Sequence, residues 1–371
     1  MDLLRTYAET KALLDTLDLG TLYPGFHSYP FALYTENEVC RGGEVRPNGG
    51  GLIGNTAVFL HGEPTAVWDV ELDPPTDIER FAAGIVHEMF HCHQFACGEA
   101  RFPSDLMMLA HPGTAECFVL RHRENTCLAQ AFLTGDEGQL RRFAALRAQG
   151  YRADPTAAEQ LQRVETIEGM AEYIELCALR RLSPEKYRQD TARYAEVLCT
   201  ADERLFDTRR TAYHSGALFC LCLEMLGRPV KNDMADDCTL YAQNAEGLPT
   251  DPAIDTTDSV TDSVTDPVTD PATDPVTDPV GDADIVRRHD ALIREQGAQI
   301  ERIVSAARYV PGQARICGYD PMALFRVGDR LYSGHYLRLS EDGRETDITG
   351  PAVLVMAPGS ADRVIGRYTV G

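Results

Sequence analysis

After an N-terminal helix, the spacing of apolar residues predicts strands up to about residue 72 and helices from residue 76 onward. Apolar and β-branched residues cluster over 31–39, 45–46, 57–60 and 66–72, and the last two clusters flank His61-Gly62-Glu63-Pro64 as in a β-hairpin. Later apolar residues recur every three or four positions, which is typical of helices that pack along one face. The predicted helices cover residues 1–17, a segment that begins at Thr76 or Asp77, and 117–133, 139–148, 154–182 and 211–226.

A four-residue repeat divides the chain at residues 257–280, where Thr-Asp-Ser-Val and Thr-Asp-Pro-Val units follow one another. Its regular aspartates repel one another and its four prolines favour an extended chain, so this segment cannot bury a core. The sequence therefore predicts a disordered linker over 251–284. This linker joins a first domain, 1–250, to a small C-terminal module, 285–371.

The C-terminal module combines both kinds of pattern. Apolar spacing predicts a helix over 285–307, and β-forming residues within 313–339 and 352–370 predict a small sheet. Residues 331–339 are predicted as one strand. We therefore expect a compact helix-plus-β unit at the end of the linker.

Composition favours a folded cytoplasmic protein without a membrane segment. Of the 371 residues, 44% are hydrophobic, which is enough for a large core. The N-terminal residues include Asp2 and Glu9 instead of the apolar run of a signal peptide, and the longest apolar stretch, 216–223, is too short to span a bilayer. Eleven cysteines without a CxxC pair are interpreted as reduced and mostly buried side chains.

The charge distribution argues against nucleic-acid binding. The formal net charge is −22, and residues 251–284 contain ten aspartates and no basic residue. No segment carries the dense basic patch that phosphate backbones require. We therefore expect no nucleic-acid partner.

The chemistry of the first domain centres on His87-Glu88-Met89-Phe90-His91, an HExxH motif within an apolar helical pattern. Histidines four positions apart lie on one helical face, so both imidazoles can bind a single Zn²⁺ ion. Glu88 follows the first histidine and is placed to take a proton from the metal-activated water. This set of side chains can hydrolyse an amide bond.

A catalytic zinc site needs a third protein ligand, and the helix predicted over 154–182 offers Glu168. This residue falls within an apolar stripe, where an unpaired carboxylate would be costly. It is therefore expected to bind a metal ion, although a helix with an exposed or salt-bridged Glu168 is the alternative. Glu172 and Glu175, one and two turns further along, are the other candidate ligands.

The segments HEMFHCHQ and EGMAEY together resemble the gluzincin metallopeptidases, in which a glutamate from a later helix completes the HExxH site. The resemblance implies that His87, His91 and Glu168 bind one zinc ion and that Glu88 is the general base. The resemblance implies a zincin-like catalytic domain. Together with the patterns along the chain, it leads us to expect an α+β fold in which this domain has a mainly helical second half and is followed by the small strand-containing module. Gln94 matches the HExxHxxQ members of this group.

Two further features concern substrate binding. A hydrolase needs a hydrogen-bond donor for the developing oxyanion, and Tyr213 at the start of the last predicted helix of the first domain is the candidate, with His214 as the alternative. The strand over 66–72 is expected to present its edge to an extended peptide, as in zincins generally.

These features predict a cytoplasmic zinc-dependent metallopeptidase that acts on a peptide or protein substrate. The alternative is a non-catalytic protein that keeps the zincin scaffold and recognises a partner through its cleft or its C-terminal module. The presence of Glu88 favours the enzyme, because zinc binding alone does not require that carboxylate.

Overall fold

The computed structural model describes residues 2–52, 54–248, 279–320 and 323–369, and it combines helices and sheets as an α+β protein. The helices of these ranges are α1 (Leu3–Leu14), α2 (Ile78–Ala96), α3 (Asp105–Ala110), α4 (Ala115–Thr134), α5 (Glu137–Ala153), α6 (Pro155–Val164), α7 (Met170–Leu182), α8 (Pro184–Cys199), α9 (Thr208–Met225), α10 (Leu240–Asn244) and α11 (Pro279–Ala306). None of these described helices has the combination of length and hydrophobicity that a transmembrane segment needs.

The strands form two separate sheets. The first contains β1 (Phe31–Tyr34), β2 (Glu38–Arg41), β3 (Glu44–Pro47), β4 (Thr56–Leu60) and β5 (Glu63–Asp69), in the order β3-β2-β1-β5-β4. The second contains β6 (Arg308–Tyr319), β7 (Leu324–Val327), β8 (Arg330–Ser333), β9 (Tyr336–Glu341), β10 (Arg344–Thr349), β11 (Ala352–Met356) and β12 (Arg363–Thr369), in the order β10-β9-β6-β12-β11-β8-β7.

The first sheet contains the predicted hairpin, but its free edge is not the strand that the sequence predicts. His61 and Gly62 form the β4–β5 turn with φ of 55° and 81°, the left-handed conformations that a tight hairpin turn requires. The other side of β5 pairs in parallel with β1, where Phe31 lies opposite Ala66. The prediction that residues 66–72 form the free edge is therefore wrong. The free edge on this side is β4, because a distant strand occupies the position beside β5.

Helix α2 packs across this sheet and carries the HExxH motif into the protein interior. Its cap is Asp77, whose side chain accepts a hydrogen bond from the backbone N–H of Arg80. A methyl group at Gly84 would lie 2.9 Å from the indole ring of Trp68, so glycine permits the close approach of helix and sheet. The motif is thus held on a rigid helix with few alternative positions.

The C-terminal module consists of α11 and the seven-stranded sheet, and it packs against the helical part of the first domain. Leu106 of α3 belongs to the same buried cluster as Leu331 and Leu337 of the sheet. Helix α11 contacts α4, where Asp282 pairs with Arg123. The predicted linker lies outside the described residues over 251–278, and its last residues, from Pro279 onward, belong to α11.

One strand prediction in the module is wrong. The range 331–339 holds parts of two strands, β8 and β9, separated by Gly334 and His335. The backbone N–H of Gly334 donates to the carbonyl of Ala323, which takes this residue out of the ladder. Tyrosine and leucine lie on both sides of the break, so composition favours strand on either side of it, and Gly334 is the one local sign of an interruption.

Candidate metal centre

Helix α2 places His87 and His91 one turn apart with their ring centroids separated by 4.8 Å. Both imidazoles are largely shielded from solvent and turn their Nε2 atoms toward the neighbouring helical segment. Buried histidines need polar partners, and these two have them on both sides of each ring. The site is thus built around fixed imidazoles.

The third group is Glu168, which the structure brings to the two histidines. Its Oε2 lies 3.2 Å from His91 Nε2 and 3.7 Å from His87 Nε2. One donor atom of each residue lies within 4.8 Å of the others, a grouping that could hold a single metal ion. Two imidazole nitrogens and one carboxylate oxygen form a donor set that suits Zn²⁺.

Glu168 lies in a π-helical turn, Glu165–Gly169, between α6 and α7. The neighbouring Glu165 accepts two hydrogen bonds from the buried Arg147 guanidinium and one from Ser215 of α9. Gly169 faces Gly216 of α9 so closely that a methyl group on either would lie within 2.8 Å of the other's backbone. These contacts hold the wide turn in place, as π-turns near functional sites commonly require.

Each histidine is oriented by a second partner at Nδ1. His87 Nδ1 lies 3.1 Å from Glu175 Oε2, and His91 Nδ1 lies 2.7 Å from Gln94 Oε1. The Gln94 amide nitrogen then donates to the carbonyl of Ile167, one residue before Glu168. Because both Nδ1 atoms face acceptors, the arrangement favours the tautomer with the proton on Nδ1, in which Nε2 is available to a metal.

Gln94 therefore connects the helix of the motif to the turn that carries Glu168, and Gln94→Leu is expected to weaken zinc binding roughly 10–100-fold. The variant removes the acceptor for His91 Nδ1 and the donor to Ile167 without changing any of the three candidate ligands. Competition with a chromophoric chelator measures the affinity. Gln94→Glu retains the acceptor for His91 Nδ1 and should lose less zinc affinity than Gln94→Leu. Equal zinc affinity in wild type and Gln94→Leu would contradict this role.

A second grouping, His87 with Glu172 and Glu175, lies on the other side of the His87 ring. Both carboxylates face Nδ1, and Glu172 also accepts a hydrogen bond from the Tyr194 hydroxyl. Burial, and next the charge of Glu175, raise the pKa of Glu172 to about 7. The two alternative ligands considered from the sequence thus lie behind His87, on the side away from Glu168.

Glu88 lies near His87, His91 and Glu168, and one of its carboxylate oxygens accepts no hydrogen bond from the described residues. Its Oε2 is buried and has no hydrogen-bond partner within the described part of the chain. Burial raises the pKa of its carboxyl, while the nearby histidines oppose that rise. An unpartnered carboxylate oxygen beside a group of metal ligands is free to accept a proton from a third molecule.

Tyr213 and His214, the two candidate oxyanion donors, occupy different environments. The Tyr213 ring stacks on His87 with centroids 6.1 Å apart, and burial followed by the charge of Glu168 raises its pKa. Tyr213 is therefore a neutral phenol with a hydroxyl to donate. His214 instead stacks on Tyr194 at 4.0 Å, and burial followed by the charge of Arg193 lowers its pKa to about 3. Of the two, Tyr213 is the one that lies beside Glu168.

The sequence pattern did not indicate Arg209, which lies in the first turn of α9. Its guanidinium donates to Glu168 Oε1 at 2.8 Å and to Asp105 at 2.6 Å. It therefore holds the oxygen of Glu168 that faces away from the histidines and leaves Oε2 to them. A basic residue four positions before Tyr213 was the available signal, but nothing in the local pattern distinguishes it from an exposed arginine.

The three candidate ligands, the free Glu88 oxygen and the Tyr213 hydroxyl together fit one zinc ion and the groups that would act around it. Two imidazole nitrogens, one carboxylate oxygen and an acceptor beside each Nδ1 are the groups that a His₂Glu zinc site would require. Comparisons of the chain with protein-family models, with curated proteins and with solved structures found no match.

Proposed function

We propose that this protein is a zinc-dependent metallopeptidase of the gluzincin type, with His87, His91 and Glu168 as the ligands of one zinc ion. The observation that carries the proposal is the convergence of these three side chains within 4.8 Å beside the unpartnered Glu88 oxygen. A purely structural metal site has no use for a free carboxylate at this position. The HExxH and EGMAEY segments support the same assignment.

The bound zinc ion would supply positive charge that polarises the scissile carbonyl and makes a nearby water more acidic. Glu88 takes the proton from the attacking water and returns it to the leaving amine. Tyr213 donates its hydroxyl hydrogen to the carbonyl oxygen as negative charge develops there. Glu175 and Gln94 keep the imidazoles in one orientation throughout.

A peptide substrate would bind as an added strand on the free edge of β4. Phe59 of β4 and Phe95, one turn after His91 on α2, are both exposed and have ring centroids 6.3 Å apart. They form an apolar surface beside the metal centre that suits an aliphatic or aromatic side chain of the peptide. A cytoplasmic location belongs to the same proposal, supported by eleven cysteines that are all free thiols.

The proposal is tested by metal removal and reconstitution. We expect the purified protein to carry about one zinc per chain and to cleave members of a peptide library. Dialysis against 1,10-phenanthroline should abolish cleavage, and stoichiometric zinc should restore it. Elemental analysis and mass spectrometry of the digest give the two readouts. If the protein carries zinc but cleaves no peptide, the assignment as a peptidase is wrong and the alternative of a non-catalytic binding protein is favoured.

A further inference from the structure

A cavity of about 360 Å³ lies where the C-terminal module meets the first domain. Its walls come from α4 and α6 on one side and from α11 and β7 on the other. None of the three candidate zinc ligands lines it, although Arg209 does. The volume falls within the range of pockets that hold small organic ligands.

The greater part of the lining is apolar, and both parts of the chain contribute to it. An apolar wall of this kind holds a hydrocarbon or aromatic body without further hydrogen bonds. The apolar side chains that face one another across the cavity include Met108, Leu109, Phe118 and Leu161 from the first domain and Leu292 and Ile293 from α11.

The acidic groups in the cavity lining are all paired. Each of the four carboxylates that line the cavity has a cationic partner: Asp105 with Arg209, Glu124 with Arg147, Asp154 with His111, and Asp207 with Arg210.

Two arginines in the lining have no carboxylate partner among the described residues. Arg326 donates to the carbonyls of Gly328 and Ser360, whereas Arg121 has neither an ion pair nor a hydrogen bond to the described residues. Burial lowers the pKa of Arg121. The charges of Glu124 and Glu165 raise it, but both carboxylates are hydrogen-bonded to Arg147, whose own charge lowers the pKa of Arg121. Arg121 is partly buried, so its guanidinium leaves an unbalanced positive charge at the cavity wall, and its planar donors match a carboxylate.

We propose that this cavity is a second binding site, separate from the metal centre, for a small anion with an apolar body and a carboxylate that pairs with Arg121. The shared chemistry is that of a medium-chain fatty acid and of the C-terminal end of an apolar peptide. The site does not depend on the proposed peptidase activity, because neither zinc nor Glu88 takes part in it.

Isothermal titration calorimetry with decanoate tests the proposal on the full-length protein. We expect decanoate to bind, and decanol and decyltrimethylammonium to bind at least about tenfold more weakly, since hydrogen bonds to a charged group contribute that much. A second pair of probes, acetyl-Leu-Leu-Phe as the free acid and as the amide, distinguishes the peptide source from the fatty acid. Tight binding of the free-acid peptide alone would identify a peptide C-terminus as the ligand.

Three variants locate the binding. Arg121→Met should weaken decanoate binding about tenfold or more, and Arg121→Lys, which keeps the charge, should weaken it less. Arg188→Met on the exposed face of α8 is the matched control and should leave binding unchanged. Circular dichroism confirms that each variant is folded. Equal binding of decanoate and decanol, or unchanged affinity in Arg121→Met, would overturn the proposal whether or not the protein cleaves peptides.

Discussion

Replacing Glu88 with glutamine is expected to abolish peptide cleavage while the protein keeps its zinc. The amide is similar in size to the carboxylate and fits the same buried space, but it cannot accept the proton of the attacking water. General-base catalysis typically contributes about 10²–10⁴-fold to a rate, so the fall in kcat/KM should lie in that range or beyond it. KM should change little, because Glu88 does not hold the ground-state substrate.

The measurement combines steady-state kinetics on one library-derived peptide with elemental analysis of the same preparation. Glu79→Gln, in the first turn of the same helix, is the matched control and should cleave at the wild-type rate. Loss of zinc together with loss of activity in Glu88→Gln would show that this carboxylate supports the metal rather than the proton transfer. Full activity in Glu88→Gln would remove the proposed mechanism.

The elements that carry the proposed site follow from local sequence patterns. The apolar period and the cap at Asp77 define α2, and four-residue spacing brings His87 and His91 to one face of it. Asp154 and Pro155 begin the helix that leads to Glu168. These signals are short-range, so a single sequence contains them in full.

The parts that the sequence did not reveal depend on contacts between distant segments. The π-turn at Glu165–Gly169 is held by Arg147 and Ser215, eighteen and fifty residues away from Glu165. The free edge is β4 and not the predicted β5, because β1 pairs with the other side of β5. The sequence pattern does not predict α8, because the first half of that helix is almost entirely polar. In each case the deciding partner lies outside the window that a periodicity argument covers.

The roles of Gln94 and Glu175 illustrate the same limit. The sequence indicated Gln94 only as part of a motif, whereas the structure shows it between His91 and the carbonyl of Ile167. Glu175 is one of the alternative ligands that the sequence offers, and it lies at His87 Nδ1, on the side of the ring away from Glu168. A carboxylate on a helix can bind the metal itself or accept a hydrogen bond from a histidine ligand. Which of the two it does depends on whether it lies near the metal-binding nitrogen of that histidine or near the other ring nitrogen.

Replacing the candidate ligands with alanine is expected to remove the zinc, which is the second large effect that we expect. These variants distinguish the two possible metal groupings around His87. His91→Ala and Glu168→Ala each remove a member of the His87, His91 and Glu168 grouping but leave the His87, Glu172 and Glu175 grouping intact. If zinc binds through Nε2 of His87, both variants should be purified with almost no zinc. Their loss of affinity should exceed the roughly 10–100-fold that changes at residues hydrogen-bonded to a ligand typically cause.

Glu172→Gln and Glu175→Gln are the matched variants on the opposite side of the same imidazole. Both should keep about one zinc per chain, because glutamine at 175 can still accept the hydrogen bond from His87 Nδ1. Inductively coupled plasma mass spectrometry on the four proteins and wild type gives the comparison. Zinc retained in His91→Ala and lost in Glu172→Gln would assign the metal to Nδ1 of His87. The Nε2 atoms of His87 and His91 would then hold no metal, and the proposed water-activating role of Glu88 would be contradicted.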